Sequence, residues 1–143
     1  MIKTTGKLAY DPTRQEFRKT HKTRTLILEL PHDQMDLYYQ WFLTKKYGQW
    51  IAMQRPMWGL HVTVVRGDEH ISKEKLGLWK KYQGQSIEVM YDPERIKCHW
   101  KFWSVPVKSP RLEEIRAELG LKAFHDFHIT VGRMYEWQPS IRI

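Results

Sequence analysis

The stretch GLHVTVVRG, residues 59–67, and the stretch DFHITVGRM, residues 126–134, decide the fold. Each is a short apolar run rich in β-branched residues with a single histidine inside it, the composition of a half-buried strand. Side chains alternate along a strand. His61 and Thr63 therefore share one face while Val62 and Val64 take the other, and His128 and Thr130 share a face against Ile129 and Val131. Each strand presents an imidazole beside a hydroxyl on one side and an apolar surface on the other.

Working outward, the segments before each histidine strand have a related order. RTLILEL (24–30) is predicted as a strand closed by Pro31. HDQMDLYYQWFLTKKYG (32–48) is predicted as a helix, with Asp33 near its start, Gly48 at its stop, and Met35, Tyr38, Tyr39 and Phe42 on one face. WIAM (50–53) suits a short strand before the first histidine strand. In the second half, SKEKLGLWKKYQG (72–84) is predicted as a short helix and SIEVMY (86–91) and the region KCHWKFWSVPV (97–107) as strands. The helix SPRLEEIRAELG (109–120) follows, marked by Ser109 as cap, Pro110 at the first helical position and Gly120 as stop. The expectation is one pseudo-duplicated α+β domain over residues 1–143, with halves at roughly 24–66 and 86–134. An internal pseudo-twofold would set the two histidine strands side by side, with two imidazoles and two hydroxyls around one cleft.

The charge balance names a partner class. Lys and Arg number 24 against 16 Asp and Glu, for a net charge of +8. A field of that sign concentrates anions such as phosphates. Aromatic residues make up 13% of the chain, enough to supply rings on which bases stack, although core packing is the commoner use of any one ring. A single cysteine, Cys98, excludes an internal disulfide and fits a reducing compartment. No apolar run is long enough for a membrane span and the N-terminus lacks a signal-peptide core, so the expected location is the cytoplasm.

Two histidines and two hydroxyls around a phosphate-sized space suit phosphodiester cleavage. One imidazole takes a proton from an oxygen nucleophile, the other gives one to the departing oxygen, and hydroxyls donate to the non-bridging oxygens. That chemistry requires no metal and no cofactor.

The paired H-x-T-V strands in a small basic chain resemble the two-histidine (2H) phosphoesterase superfamily, and the resemblance runs from Arg24 to Arg133. It implies a bilobal α+β domain with antiparallel sheets lining a central cleft and helices packed outside. It implies His61 and His128 as the catalytic pair, with Thr63 and Thr130 as phosphate binders, acting on cyclic nucleotides, 2′,3′-cyclic phosphates or RNA ends. The opening GKLAYDP and the Trp-rich segments are most similar to the phage anti-CBASS nucleases. That implies cyclic oligonucleotide substrates and, for a phage-encoded chain, the host cytoplasm; no obligatory protein partner is inferred. An enzyme of RNA 2′,3′-cyclic phosphate ends and a non-catalytic nucleic-acid-binding module remain the alternatives.

Further residues are weighed on position alone. Tyr10 precedes the Asp-Pro of that opening and is a candidate substrate contact. Trp58 and Trp100 are candidates to stack a base at the cleft mouth, core packing being the alternative for both. Strict alternation puts Arg66 and Arg133 on the face opposite the histidines, but Gly132 permits a bulge that turns Arg133 back toward the cleft. His21, His32 and His70 lie in polar stretches that read as solvated loops.

Overall fold

The alternation in the histidine strands reappears, in a computed structural model of the chain, as an inward row of apolar side chains. The structure describes residues 2–12, 24–31, 41–42, 44–48, 53–54, 59–99, 102–123 and 126–134. Its strands are β1 (Ile2–Tyr10), β2 (Leu26–Glu29), β3 (Met53–Gln54), β4 (His61–Val65), β5 (Ser86–Tyr91), β6 (Lys97–His99), β7 (Phe102–Lys108) and β8 (His128–Met134).

All eight belong to one sheet in the order β3-β8-β4-β2-β1-β5-β7-β6, and β7 also pairs with β8. That extra pairing closes the ring β8-β4-β2-β1-β5-β7 into an antiparallel barrel, which removes the open edges that an unclosed sheet would expose. The expected α+β class with antiparallel sheets is what forms, and the sheet of each half is continuous with the other. Across the barrel wall the registers Leu8↔Leu28, Leu28↔Val62, Val62↔Ile129 and Val105↔Ile129 align one row of residues, each at most 1% exposed. Burying a side chain of this kind contributes about 1.5–3 kcal/mol, so the row that locks the register also holds the barrel shut.

Strand expectations largely coincide with the structure. SIEVMY is β5 residue for residue. The KCHWKFWSVPV region forms two strands, β6 and β7, paired antiparallel. The best-marked helix runs Pro110–Glu118, with Ser109 Oγ accepting from the Leu112 amide at 3.3 Å, and Leu112, Ile115 and Leu119 bury its inner face. Of the helix expected over 32–48, residues 41–42 and 44–47 are helical and Gly48 follows at φ +65°; residues 32–40 lie outside the described residues.

The helix expected over 72–84 is corrected to a single 3₁₀ turn, Leu76–Leu78. Positive φ at Lys80 (70°) and Gly84 (77°) breaks any continuous helix there. β1, which no strand expectation covers, is the longest strand of the barrel and pairs on both sides. Its Gly6 passes so close to β2 that an added Cβ would lie 2.5 Å from the Glu29 carbonyl oxygen, so the barrel wall itself requires glycine there.

Candidate functional site

β4 and β8 lie side by side and antiparallel, with Val62 opposite Ile129. Continuing that register by one residue each way sets His61 opposite Thr130 and Thr63 opposite His128. Val62 and Ile129 are fully buried, so alternation turns all four neighbours to the outer face. His61, Thr63 and Thr130 are half-buried and His128 is exposed. Directly opposed Cβ atoms in such a pair lie about 4.5–5.5 Å apart and diagonal ones about 7–8 Å. Each histidine thus has the other strand's threonine as its near neighbour and the other histidine on the diagonal, a spacing that leaves room for one phosphate between them.

The two histidines are held in the same way. His61 Nδ1 lies 2.9 Å from the Gly59 carbonyl oxygen and His128 Nδ1 lies 3.0 Å from that of Asp126. A carbonyl oxygen can only accept, so Nδ1 carries the proton in both neutral rings, and Nε2 is the nitrogen able to take up another. The residue before each histidine is buried, Leu60 and Phe127. Its carbonyl accepts from a neighbouring segment, from the Leu30 amide at 3.0 Å and from the Val107 amide at 2.9 Å. Gly59 adopts φ +73°, a conformation that side-chain-bearing residues avoid.

Thr63 and His128 together line a cavity of about 200 Å³ whose other walls are Val64, Arg66, Glu69 and Arg116. Arg116 is 2% exposed. Its guanidinium donates to the Val64 carbonyl at 2.7 Å, to both Glu69 carboxylate oxygens, and to the Lys122 carbonyl at 3.0 and 3.2 Å. Glu69 also accepts from the Arg66 amide at 2.8 Å. The hydrogen bond from Arg116, ahead of the opposing effect of burial, holds the Glu69 carboxyl below the usual carboxylate range. This pair fixes the backbone on both sides of Val65, where β4 runs into its loop. Sequence reasoning missed it, although Arg116 sits among Leu112, Ile115 and Leu119 on the helix's apolar stripe, where a charged residue is the signal of a buried partner.

One predicted contact falls elsewhere. Tyr10 lies in the barrel interior, 6% exposed, its ring edge-on to Trp79 at 4.9 Å. The reason is alternation: Lys7 and Ala9 register with Glu29 and Ile27, which register with His61 and Thr63, so Tyr10 takes the inner face and is not brought to the histidines. Trp58 and Trp100 lie outside the described residues. Arg133 pairs through its backbone with Phe102 and Gln54. The expected irregularity is present, because Trp103 pairs with Gly132 and Ser104 with Thr130, so β8 spends an extra residue there. The register also brings in two residues that sequence reasoning did not single out, Glu29 opposite His61 and Ser104 opposite Thr130. Among the described residues no three His, Cys, Asp or Glu side chains gather as a metal site, and no helix is long and apolar enough to cross a membrane.

Comparison with known families matches residues 26–136 to the Swiss Army Knife 2H phosphoesterase domain. No curated protein and no solved structure matches the chain. The family match spans most of the chain and includes both histidine strands, and the chain belongs to the 2H phosphoesterase family.

Proposed function

We propose that this 2H phosphoesterase is a metal-independent phosphodiesterase that opens 3′–5′ bonds of cyclic di- or trinucleotides, with His61 and His128 as its proton carriers. The reading is supported above all by the shared tautomer of two histidines set diagonally across β4 and β8, each opposite a threonine of the other strand.

One neutral imidazole accepts the proton of the ribose 2′-OH at Nε2. The 2′ oxygen forms a bond to the adjacent phosphorus as the bond from phosphorus to the 5′ oxygen breaks. The other histidine, protonated, gives its Nε2 proton to that leaving oxygen. Thr63 and Thr130 donate to the non-bridging oxygens, where negative charge builds up. The product is a linear nucleotide with a 5′-OH and a 2′,3′-cyclic phosphate, and the two histidines have exchanged protonation states. The near-symmetric cleft leaves the base and acid roles to the direction in which substrate lies. Removal of a cyclic oligonucleotide alarm in the host cytoplasm, as phage anti-CBASS nucleases achieve, is the biological role that suits this chemistry.

The test is incubation with cyclic dinucleotides, cyclic trinucleotides, 2′,3′-cyclic mononucleotides and linear RNA ending in 2′,3′-cyclic phosphate, in excess EDTA, with products identified by mass. Turnover of the cyclic oligonucleotides is expected. Preference for linear RNA ends would move the enzyme to RNA-end processing, and recovery of every ligand intact would leave only a binding protein.

A further inference from the structure

The cavity holding Thr63 and His128 shares the wall residue Glu69 with a second cavity of about 420 Å³. Arg24, His70 and Lys73 line this neighbour together with Asp68. Arg24 enters two residues before Leu26, whose partner on β4 is Val65, while His70 and Lys73 lie on the segment that leaves β4. The pairing of β2 with β4 therefore brings Arg24 from one segment and His70 and Lys73 from another together beside the cleft.

Both carboxylates of this cavity are already engaged. Glu69 is bonded to Arg116, and Asp68 Oδ1 lies 3.9 Å from Arg66 Nε. Among the described residues no carboxylate pairs with Arg24, His70 or Lys73. The scaffold beneath them is fixed. The Glu69 amide donates to the Arg66 carbonyl at 3.1 Å while the Arg66 amide donates back to the Glu69 carboxylate, and Ile71 is buried in the core cluster. These anchors hold the backbone that carries His70 and Lys73 in place, so binding an anion does not require that segment to be ordered first.

Resting on the phosphodiesterase reading, we infer that this second cavity takes a second phosphate of the substrate whose scissile phosphate lies between His61 and His128. The enzyme thereby selects nucleotides with at least two phosphates over mononucleotides. Arg24 and Lys73 supply the charge, and the Glu69–Arg116 pair sets the separation between the two anion positions.

The test compares two probes, cyclic di-2′-deoxyadenylate with two phosphates and 2′-deoxyadenosine 3′,5′-cyclic monophosphate with one. Affinity is read as Kd for an intact probe or KM for a cleaved one. In Arg24→Ala/Lys73→Ala, affinity for the two-phosphate probe falls on the order of tenfold and affinity for the one-phosphate probe holds. The charge-matched control Lys3→Ala/Lys97→Ala leaves both unchanged. Equal losses on both probes, no loss on either, an equal effect of the control, or a wild type that binds the two probes alike would each overturn the second subsite. Failure of the phosphodiesterase reading registers separately, as intact cyclic diribonucleotide after incubation with the wild type.

Discussion

His61 and His128 each direct Nδ1 at the backbone carbonyl two residues upstream, Gly59 at 2.9 Å and Asp126 at 3.0 Å. The bond settles more than orientation. It assigns the proton to Nδ1 in the neutral ring, so Nε2 is the atom through which each ring acts in the proposed mechanism, where base and acid differ only in which ring holds the extra proton. Neither role can be filled by the other ring at the same moment. His61→Ala and His128→Ala are each expected to lower kcat by roughly 10²- to 10⁴-fold while the circular dichroism spectrum stays that of the wild type. Near wild-type turnover in either variant would end the two-histidine mechanism.

The same bond makes a prediction about glycine. At φ +73° an alanine at position 59 costs about 1–2 kcal/mol, and any shift of the carbonyl moves the His61 ring with it. Gly59→Ala is expected to lose both stability and kcat, the latter on the order of 10²-fold for a displacement of about 1 Å. Gly48 provides the comparison, because it has a similar φ of +65° and open space where its Cβ would lie. Gly48→Ala should lose a similar amount of stability and keep its kcat. Parallel losses of kcat in both variants would show that the effect is global strain.

Thr63 and Thr130 offer one hydroxyl from each strand. Removing a preorganised donor aimed at developing negative charge lowers kcat by about 10²- to 10³-fold, which is the expectation for Thr63→Ala and Thr130→Ala. Serine keeps the hydroxyl, so Thr63→Ser and Thr130→Ser should retain most of the activity. Steady-state kinetics of the four variants decide it, and alanine variants no slower than the serine ones would remove the hydroxyls from the chemistry.

The Glu69–Arg116 pair predicts a pH-dependent stability. Its side chains are 17% and 3% exposed, and breaking one partner of such a buried pair costs roughly 3–5 kcal/mol. The Glu69 carboxyl is held below its ordinary range, so the folded state binds its proton less readily than the unfolded chain, where the value is about 4.3. Its contribution is complete above that value and is lost as pH falls through the lower folded one. Denaturant titrations of wild type and Glu69→Gln should therefore differ most near neutral pH and converge in acid. A gap that stays constant down to pH 3 would assign the effect to shape and not to charge.

The strands that alternate cleanly were legible. HVTVV, SIEVMY and HITV each carry apolar residues at every second position, and the four histidine and threonine side chains could be grouped by that alternation before any pairing was known. β1 was not legible because Thr4, Thr5, Gly6 and Lys7 give it little apolar signal, and its place in the barrel depends on the space that Leu28 and Leu30 leave for Gly6. The segment 72–84 misled because Leu76, Leu78, Trp79 and Tyr82 are apolar enough for a helix, yet they pack on the core cluster from turns. Tyr10 is a candidate contact only through its place before Asp-Pro, a position that carries no facing information, and its strand register sets it inward. Arg116's place on an apolar stripe signals a buried partner, but Glu69 is far away in the chain and nothing local names it as that partner.

The substrate's own hydroxyl supplies the last test. If the ribose 2′-OH is the nucleophile, replacing it by hydrogen beside the scissile phosphate removes the attacking atom but leaves charge and stacking, which drive binding, intact. Cyclic di-deoxynucleotides should then bind without being cleaved and inhibit turnover of the ribose substrate competitively. With the ribose substrate, quenched time points should contain a linear species ending in a 2′,3′-cyclic phosphate. Water as nucleophile predicts the reverse on both counts, with the deoxy substrate hydrolysed and no cyclic phosphate formed. Cleavage of the deoxy substrate at a rate near that of the ribose form would therefore exclude internal attack, while the requirement for His61 and His128 as proton carriers would stand, because a water nucleophile must also lose a proton and the leaving oxygen must still gain one.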